Sequence, residues 1–438
     1  MSDTNDRPLL LLGCLGHLGQ FGNQLFQYAF FRILADENSF RRLCPPWLGS
    51  SVFETGDEPM AAASPALPLV ADRVVLSHVG WRRYAATREP AVSLIRAAGG
   101  LPLSGVQLRR HFPQVCGEAL QNLSECAASC GNCELWGWFQ FHSAVWAPHE
   151  ERWRSLFTPV PPLATALYAA LRRLTCSREL YVVHLRVGKG RREGGGDGSA
   201  GEGCLDYERV ECKDNELNSS GSTINVDEHG GSCNSEGSSG EGGNGKAHAR
   251  LNEVRIDEWE DRNTFWPTPS TWYMRWLSEL AAAEGWATRT EPSRPAVLVC
   301  SDVEASAEVV RQQVHAELGG GCVVVQWGQI DASDEWRELQ RVWARLDTVQ
   351  PSALSMFVDW WSMTIADGLA ISNSTFSFTA AMLNKNARRE ERSVSHFVRP
   401  VPDMGCLCGF EPWNSSPLLR CGDEVSAKLY SVGRGAYG

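Results

Sequence analysis

A chain of 438 residues exceeds the size at which one hydrophobic core usually stops growing, so two domains are expected. A formal net charge of -11 and a pI near 5.5 exclude a broad basic surface for nucleic acid or an anionic membrane, while leaving room for a local basic pocket. No apolar run reaches the roughly 18 residues of a membrane span, and residues 1–8 lack the form of a signal peptide, so the chain as given is expected to carry no membrane segment.

Leu9–Leu12 is a short apolar run suited to a buried strand, and Gly13, Gly16, Gly19 and Gly22 after it permit tight turns and close backbone approach. Leu25, Phe26, Ala29, Phe30, Ile33 and Leu34 then recur at helical spacing. Exposed amides at that helix start, with the positive end of the dipole behind them, can hold a phosphate or an acceptor hydroxyl. Cys126, Cys130 and Cys133 are the densest part of an odd total of 15 cysteines, without the second ligand pair a zinc site needs, and read as buried or locally paired thiols. An aromatic stretch, Trp136 to Trp146, closes the first domain. Pro159, Pro161 and Pro162 place a boundary near residue 165, and helical spacing resumes at Leu163, Leu167, Ala170 and Leu171.

The second domain is expected over 166–400, with a Cys-containing tail at 401–438. It opens with the apolar run Leu180–Val183, which ends in His184-Leu185-Arg186-Val187-Gly188. An imidazole and a guanidinium two residues apart share one side of a strand end. Fifteen of the 41 glycines lie between Gly190 and Gly245, among Ser, Asn, Asp and Glu, a composition without the apolar surface to offset ordering entropy. The insertion 190–263 therefore reads as disordered. Order should resume near Phe265-Trp266-Pro267, with a helix through Trp272, Tyr273, Trp276 and Leu277. Strands at Ala296–Cys300 and Cys322–Val325 enclose a helix carrying Val309, Val310, Val314 and Leu318, the alternation of a parallel sheet. Finally Leu369-Ala370-Ile371-Ser372 runs into Asn373-Ser374-Thr375-Phe376-Ser377, where hydroxyls and an amide lie at a helix cap. In an open α/β sheet such strand ends line a ligand crevice.

The set Gly19-Gln20-Phe21-Gly22-Asn23-Gln24, His184-Leu185-Arg186-Val187-Gly188 and Ile371-Ser372-Asn373-Ser374-Thr375-Phe376-Ser377 resembles the successive motifs of the α-1,2/α-1,6/protein O-fucosyltransferase superfamily. The likeness is to its α-1,2-fucosyltransferase-like branch, glycosyltransferase family 11-like. Leu135-Trp136-Gly137-Trp138-Phe139-Gln140 resembles that branch's Gly-Tyr-Phe-Gln segment, and Val299-Cys300-Ser301-Asp302 its strand ending in Ser-Asp; Pro45-Pro46-Trp47 resembles the protein O-fucosyltransferases. The pieces follow family order from about residue 9 to about residue 385. The resemblance implies an α/β, GT-B-like fold, two Rossmann-type domains facing a cleft, with the acceptor on the 9–165 side and a GDP-sugar on the 166–400 side. It also implies a Golgi location for a eukaryotic relative, a cytoplasmic one being the alternative.

Transfer of L-fucose from GDP-fucose to a glycan hydroxyl builds negative charge on the departing diphosphate. The sequence has no Asp-x-Asp tripeptide to hold a divalent ion for that charge, so no metal or other cofactor is expected. Arg186, a planar and permanent cation, is the natural substitute, and a structural ion pair is its plainer alternative. Asn23, whose amide both donates and accepts, is the second catalytic candidate; an αL turn residue is the alternative. For the donor, Ser374, Thr375, Phe376 and Ser377 offer hydroxyl and backbone groups to the diphosphate, or ordinary capping. Gly22 allows close approach, His184 can face the nucleoside or sit hydrogen-bonded in the core, and Asp302 can read guanine or cap a helix. Trp138 and Gln140 are the acceptor-side candidates, against a core role for the aromatics. No carboxylate is singled out as general base: Glu193, Asp206, Asp302 and Asp359 are all conceivable. Lys189 and Gly190 depart from the acidic residue many relatives carry after this motif, which leaves open a protein O-fucosyltransferase or a non-catalytic GDP-sugar or carbohydrate-binding protein. Asn122, Asn218, Asn373 and Asn414 sit in Asn-x-Ser/Thr patterns.

Overall fold

The computed structural model describes residues 7–16, 18–55, 58–59, 73–77, 104–108, 132–186, 268–346, 350–388, 394–401 and 404–419. The expected disordered insertion, Val187 to Gly190, Phe265 to Pro267, Glu193, Asp206, the sequons at Asn122 and Asn218, and Cys126 and Cys130 lie outside the described residues.

The first sheet begins with strand β1 (Leu9–Leu12), whose leucines become a central strand because both faces are covered. Helix α1 (Phe21–Glu37) follows, then β2 (Arg41–Cys44), α2 (Leu48–Val52), β3 (Glu58–Pro59), β4 (Arg73–Ser77), β5 (Ser104–Leu108) and β6 (Cys133–Gly137). The order is β3-β2-β1-β6-β4-β5, with every pair parallel. Helices α3 (Glu150–Leu156) and α4 (Pro161–Thr175) lead out of this half. Pro161 and Pro162 occupy the first turn of α4, where their missing N–H groups cost nothing, so these prolines start the helix.

The second sheet contains β7 (Leu180–Leu185), α5 (Ser270–Ala283), β8 (Ala296–Ser301), α6 (Glu304–Leu318), β9 (Val323–Val325), α7 (Asp334–Ala344), α8 (Ala353–Ile365), β10 (Gly368–Ala370), α9 (Thr375–Leu383), β11 (Phe397–Val401) and β12 (Cys406–Gly409). Its order is β12-β11-β10-β7-β8-β9, parallel except for the antiparallel edge pair β11 and β12. Counted from β7, that is the doubly wound order 3-2-1-4-5-6. The architecture is thus α/β, with two Rossmann-type halves.

The halves share one core. Alternation along β7 and β8 sends Leu180, Val182, Leu298 and Cys300 to the shared side, and Tyr181, Val183, Val297 and Val299 to a second cluster under α5 and α6. Phe21 of α1 stands edge-on to Trp360 of α8, with ring centroids 5.2 Å apart, and Phe53 meets the same indole at 5.9 Å. Residues 410–419, from the expected tail, tie the halves further: Ser415 exchanges hydrogen bonds with Ser143, and Trp413 donates to the Met382 carbonyl at 3.0 Å. Among the described residues, no helix is long and apolar enough to cross a membrane.

Candidate functional site

In each sheet the winding direction reverses beside a central strand, between β1 and β6 in the first half and between β7 and β10 in the second. Loops leave the carboxyl ends of strands in opposite directions at such a point, opening the crevice where α/β sheets take ligands. The loop after β1 carries Gly19 and leads into the first turn of α1 with Gly22 and Asn23, and Trp138 and Gln140 follow β6. His184 ends β7 and Arg186 follows it, while Ser372 to Ser377 follow β10.

Three of these four segments meet at Asn23, and the one after β7 joins them through Ser374. Asn23 Oδ1 accepts one hydrogen bond from Gln140 Nε2 at 2.6 Å and another from Thr375 Oγ1 at 2.6 Å. One carbonyl oxygen in the first turn of α1 therefore joins the segment after β6 of its own half to the first residue of α9 in the other. Gly22 makes the approach possible: a Cβ there would lie 2.5 Å from the Phe376 amide nitrogen and 2.6 Å from the Thr375 carbonyl carbon. Gly19, at φ +72°, adopts a left-handed turn, and a Cβ on it would collide with Asn23 and Trp138. Beside them Phe139 also has a positive φ, 50°, which turns its ring into the core against Phe30 at a centroid distance of 4.5 Å. Strained backbone of this kind persists where packing fixes it.

The second half supplies charge and caps. Ser374 is the N-cap of α9 and accepts from the Phe376 amide at 3.3 Å, and Arg186 Nη1 donates to the same hydroxyl oxygen at 3.2 Å. Ser374, Thr375 and Ser377 are buried, and Phe376 is half-buried. The first turns of α1 and α9 thus pack against each other, with the Arg186 guanidinium on the N-cap of α9, and positive helix ends and a permanent cation are groups that can attract an anion.

His184 is buried, and its Nδ1 lies 2.8 Å from Ser372 Oγ; its ring centroid is 5.4 Å from that of Phe376. Burial lowers its pKa to about 3, with Asp302 opposing and Arg186 reinforcing, so the ring is neutral at physiological pH. Its backbone carbonyl accepts from Tyr273, a buried phenol whose pKa burial pushes up. Asp302 is exposed just after β8, and the cap of α6 is Val303, whose amide bonds Ser301 Oγ at 3.1 Å. Asp359 on α8 hydrogen-bonds Cys300, the β8 residue paired in register with His184, and burial raises its pKa to about 7.

Asn373 does other work. Its amide donates to the Leu419 carbonyl at 2.7 Å and its Oδ1 accepts from the Leu419 amide at 2.8 Å, clamping the C-terminal segment. Of the two sequons in the described residues, Asn373 is buried and Asn414 exposed. The turn and close approach expected of Gly19 are what the fold uses; no site role was expected of Ser372, which lay inside a recognised motif, or of Tyr273, whose only local signal was helical spacing.

No family model and no curated protein matches the chain. Solved structures do. An arginine-to-lysine mutant of Arabidopsis thaliana FUT1 in complex with GDP aligns over 92% of this chain and 73% of its own, at 10% identity and a TM-score of 0.43. POFUT1 in complex with GDP-fucose aligns over 91% and 99%, at 12% identity and a TM-score of 0.44. These neighbours are fucosyltransferases holding GDP or GDP-fucose. Among the described residues, no group of three or more His, Cys, Asp or Glu side chains is placed to hold a metal ion.

Proposed function

We propose that this protein transfers L-fucose from GDP-fucose to a hydroxyl of a glycan acceptor, in the manner of an α-1,2-fucosyltransferase. The observation that carries the reading is the meeting of two helix N-termini and Arg186 where both sheets reverse direction, in a chain whose motifs there resemble that superfamily. Arg186 and the start of α9 take the diphosphate and stabilise the charge that grows as the bond to the anomeric carbon breaks. Preorganised donors aimed at such charge contribute on the order of 3 kcal/mol each. His184, neutral and held by Ser372, and the exposed Asp302 face the nucleoside. With Oδ1 already doubly bonded, Asn23 fixes the position of α9 relative to Gln140 and Trp138 on the acceptor side. No one of Glu193, Asp206, Asp302 and Asp359 is singled out as base; a strongly dissociative displacement needs little base assistance, the acceptor hydroxyl losing its proton to solvent or to the departing diphosphate as the new bond forms.

Thermal-shift titration with GDP-fucose, GDP-mannose, UDP-galactose and NAD in EDTA, beside Arg186→Ala, tests this. Ligand at 100 times its dissociation constant should stabilise the fold by about 2.7 kcal/mol. GDP-fucose alone should do so, with the shift lost in the variant, and glycan and protein acceptors then separate α-1,2-type transfer from protein O-fucosylation. No shift with any GDP-sugar ends the transferase reading, and binding without turnover on any acceptor leaves a GDP-sugar-binding protein.

A further inference from the structure

The outermost strand of the second sheet carries a cluster of sulfur that the fucosyl-transfer reading does not use. In the antiparallel pair, Arg399 lies opposite Cys408 and Val401 opposite Cys406, so the two cysteines, two residues apart, share one face of β12. Their sulfurs are 3.6 Å apart. Gly405, at φ +63°, turns the chain just before the strand, and Met404 Sδ comes to 3.6 Å from Cys408 Sγ. Both thiols are half-buried, and Met404 is 40% exposed, so the cluster is reachable from solvent.

The cysteine separation is well beyond a disulfide bond of about 2.0 Å. It is close to what a shared metal needs: metal–thiolate bonds of about 2.3 Å place ligand sulfurs roughly 3.8–4.0 Å apart. We propose that Met404, Cys406 and Cys408 bind one copper(I) ion. Two thiolates and a thioether form a soft donor set, which selects copper(I) over the harder divalent ions. Zinc sites are built from Cys, His and carboxylates, and a thioether adds little to them. Binding releases the two thiol protons to solvent and leaves a net charge of minus one on the site.

The test uses the full chain, reduced and under argon, titrated with copper(I) against bicinchoninate. With 15 cysteines in the chain, the informative quantity is the difference between variants. Cys406→Ser with Cys408→Ser should bind one equivalent fewer. Met404→Leu, which conserves volume and both thiols, should keep the stoichiometry and weaken that equivalent by about tenfold or more. Copper K-edge absorption on the wild type minus the double variant should show a sulfur-only shell near 2.3 Å. Circular dichroism and urea midpoints verify that the variants fold, as changes on an exposed edge strand should allow. Unchanged stoichiometry in the double variant overturns the proposal. So does an unaltered affinity in Met404→Leu, zinc held in preference to copper(I), or a Cys406–Cys408 disulfide in the anaerobically isolated protein. None of these outcomes depends on nucleotide-sugar binding.

Discussion

Replacing Gly22 by Ala puts a methyl group about 1 Å inside ordinary contact with the Phe376 nitrogen and the Thr375 carbonyl carbon. These are backbone atoms at the start of α9, so no side chain can rotate away and the two helices must separate. Overpacking of this kind costs about 1–3 kcal/mol. Moving Thr375 outward by ~1 Å also stretches its 2.6 Å bond to Asn23 beyond hydrogen-bonding range, a further ~1 kcal/mol. Alanine's better helix propensity returns at most about 1 kcal/mol, leaving a net loss of about 2 kcal/mol. Urea unfolding at constant m-value measures it. Gly320→Ala is the control, since a Cβ there meets nothing within 4 Å, and it should stay within about 0.5 kcal/mol of wild type. The sign is decisive: without the close approach, Gly22→Ala would stabilise the protein by about 0.4–1 kcal/mol, and that result would refute the contact between the halves.

Asn23→Ala removes the acceptor shared by the Gln140 amide and the Thr375 hydroxyl, and losing the partner of a buried donor costs about 1–3 kcal/mol. Asn23→Asp keeps the acceptor and should lose far less in the same urea assay, and a double-mutant cycle with Thr375→Val should give a coupling of at least ~0.5 kcal/mol. His184 and His142, whose pKa values burial lowers to about 3 and about 4, stay neutral in the fold where the unfolded chain takes up protons. Their contribution is complete above about pH 6.5 and falls on acidification by up to about 1.4 kcal/mol per pH unit for each group; His184→Asn should flatten that slope by one group. Asp359 has the opposite sign. With its folded pKa raised to about 7, its stabilising effect is lost as pH rises from about 4 to 7, so Asp359→Asn should be more stable than wild type at pH 8 and gain nothing at pH 4.

Local signals sufficed for the elements that build the sheets. Leu9–Leu12, Leu180–Val183 and Ala296–Cys300 are unbroken apolar runs because central parallel strands are covered on both faces, and each is a strand. The helical spacing after Gly22 and after Pro162 likewise reports a face that α1 and α4 bury. The strand–turn–helix motifs were visible too, which is why Asn23, Gln140, Arg186 and Ser374 to Ser377 stood out as candidates before any contact was known. Their partnerships were not visible. Nothing local in Asn23 specifies that its carbonyl oxygen serves Gln140, 117 residues on, and Thr375, 352 residues on. Gly22 could be read as room for a ligand, whereas packing uses it to admit the backbone of α9. Asn373 matched a glycosylation pattern, yet the fold buries it as a clamp on Leu419. Backbone periodicity and turn chemistry are properties of neighbours in sequence, and they fix strands, helices and caps. Which caps face each other depends on strand order and on how two sheets bury a common apolar face, and those are properties of the assembled chain.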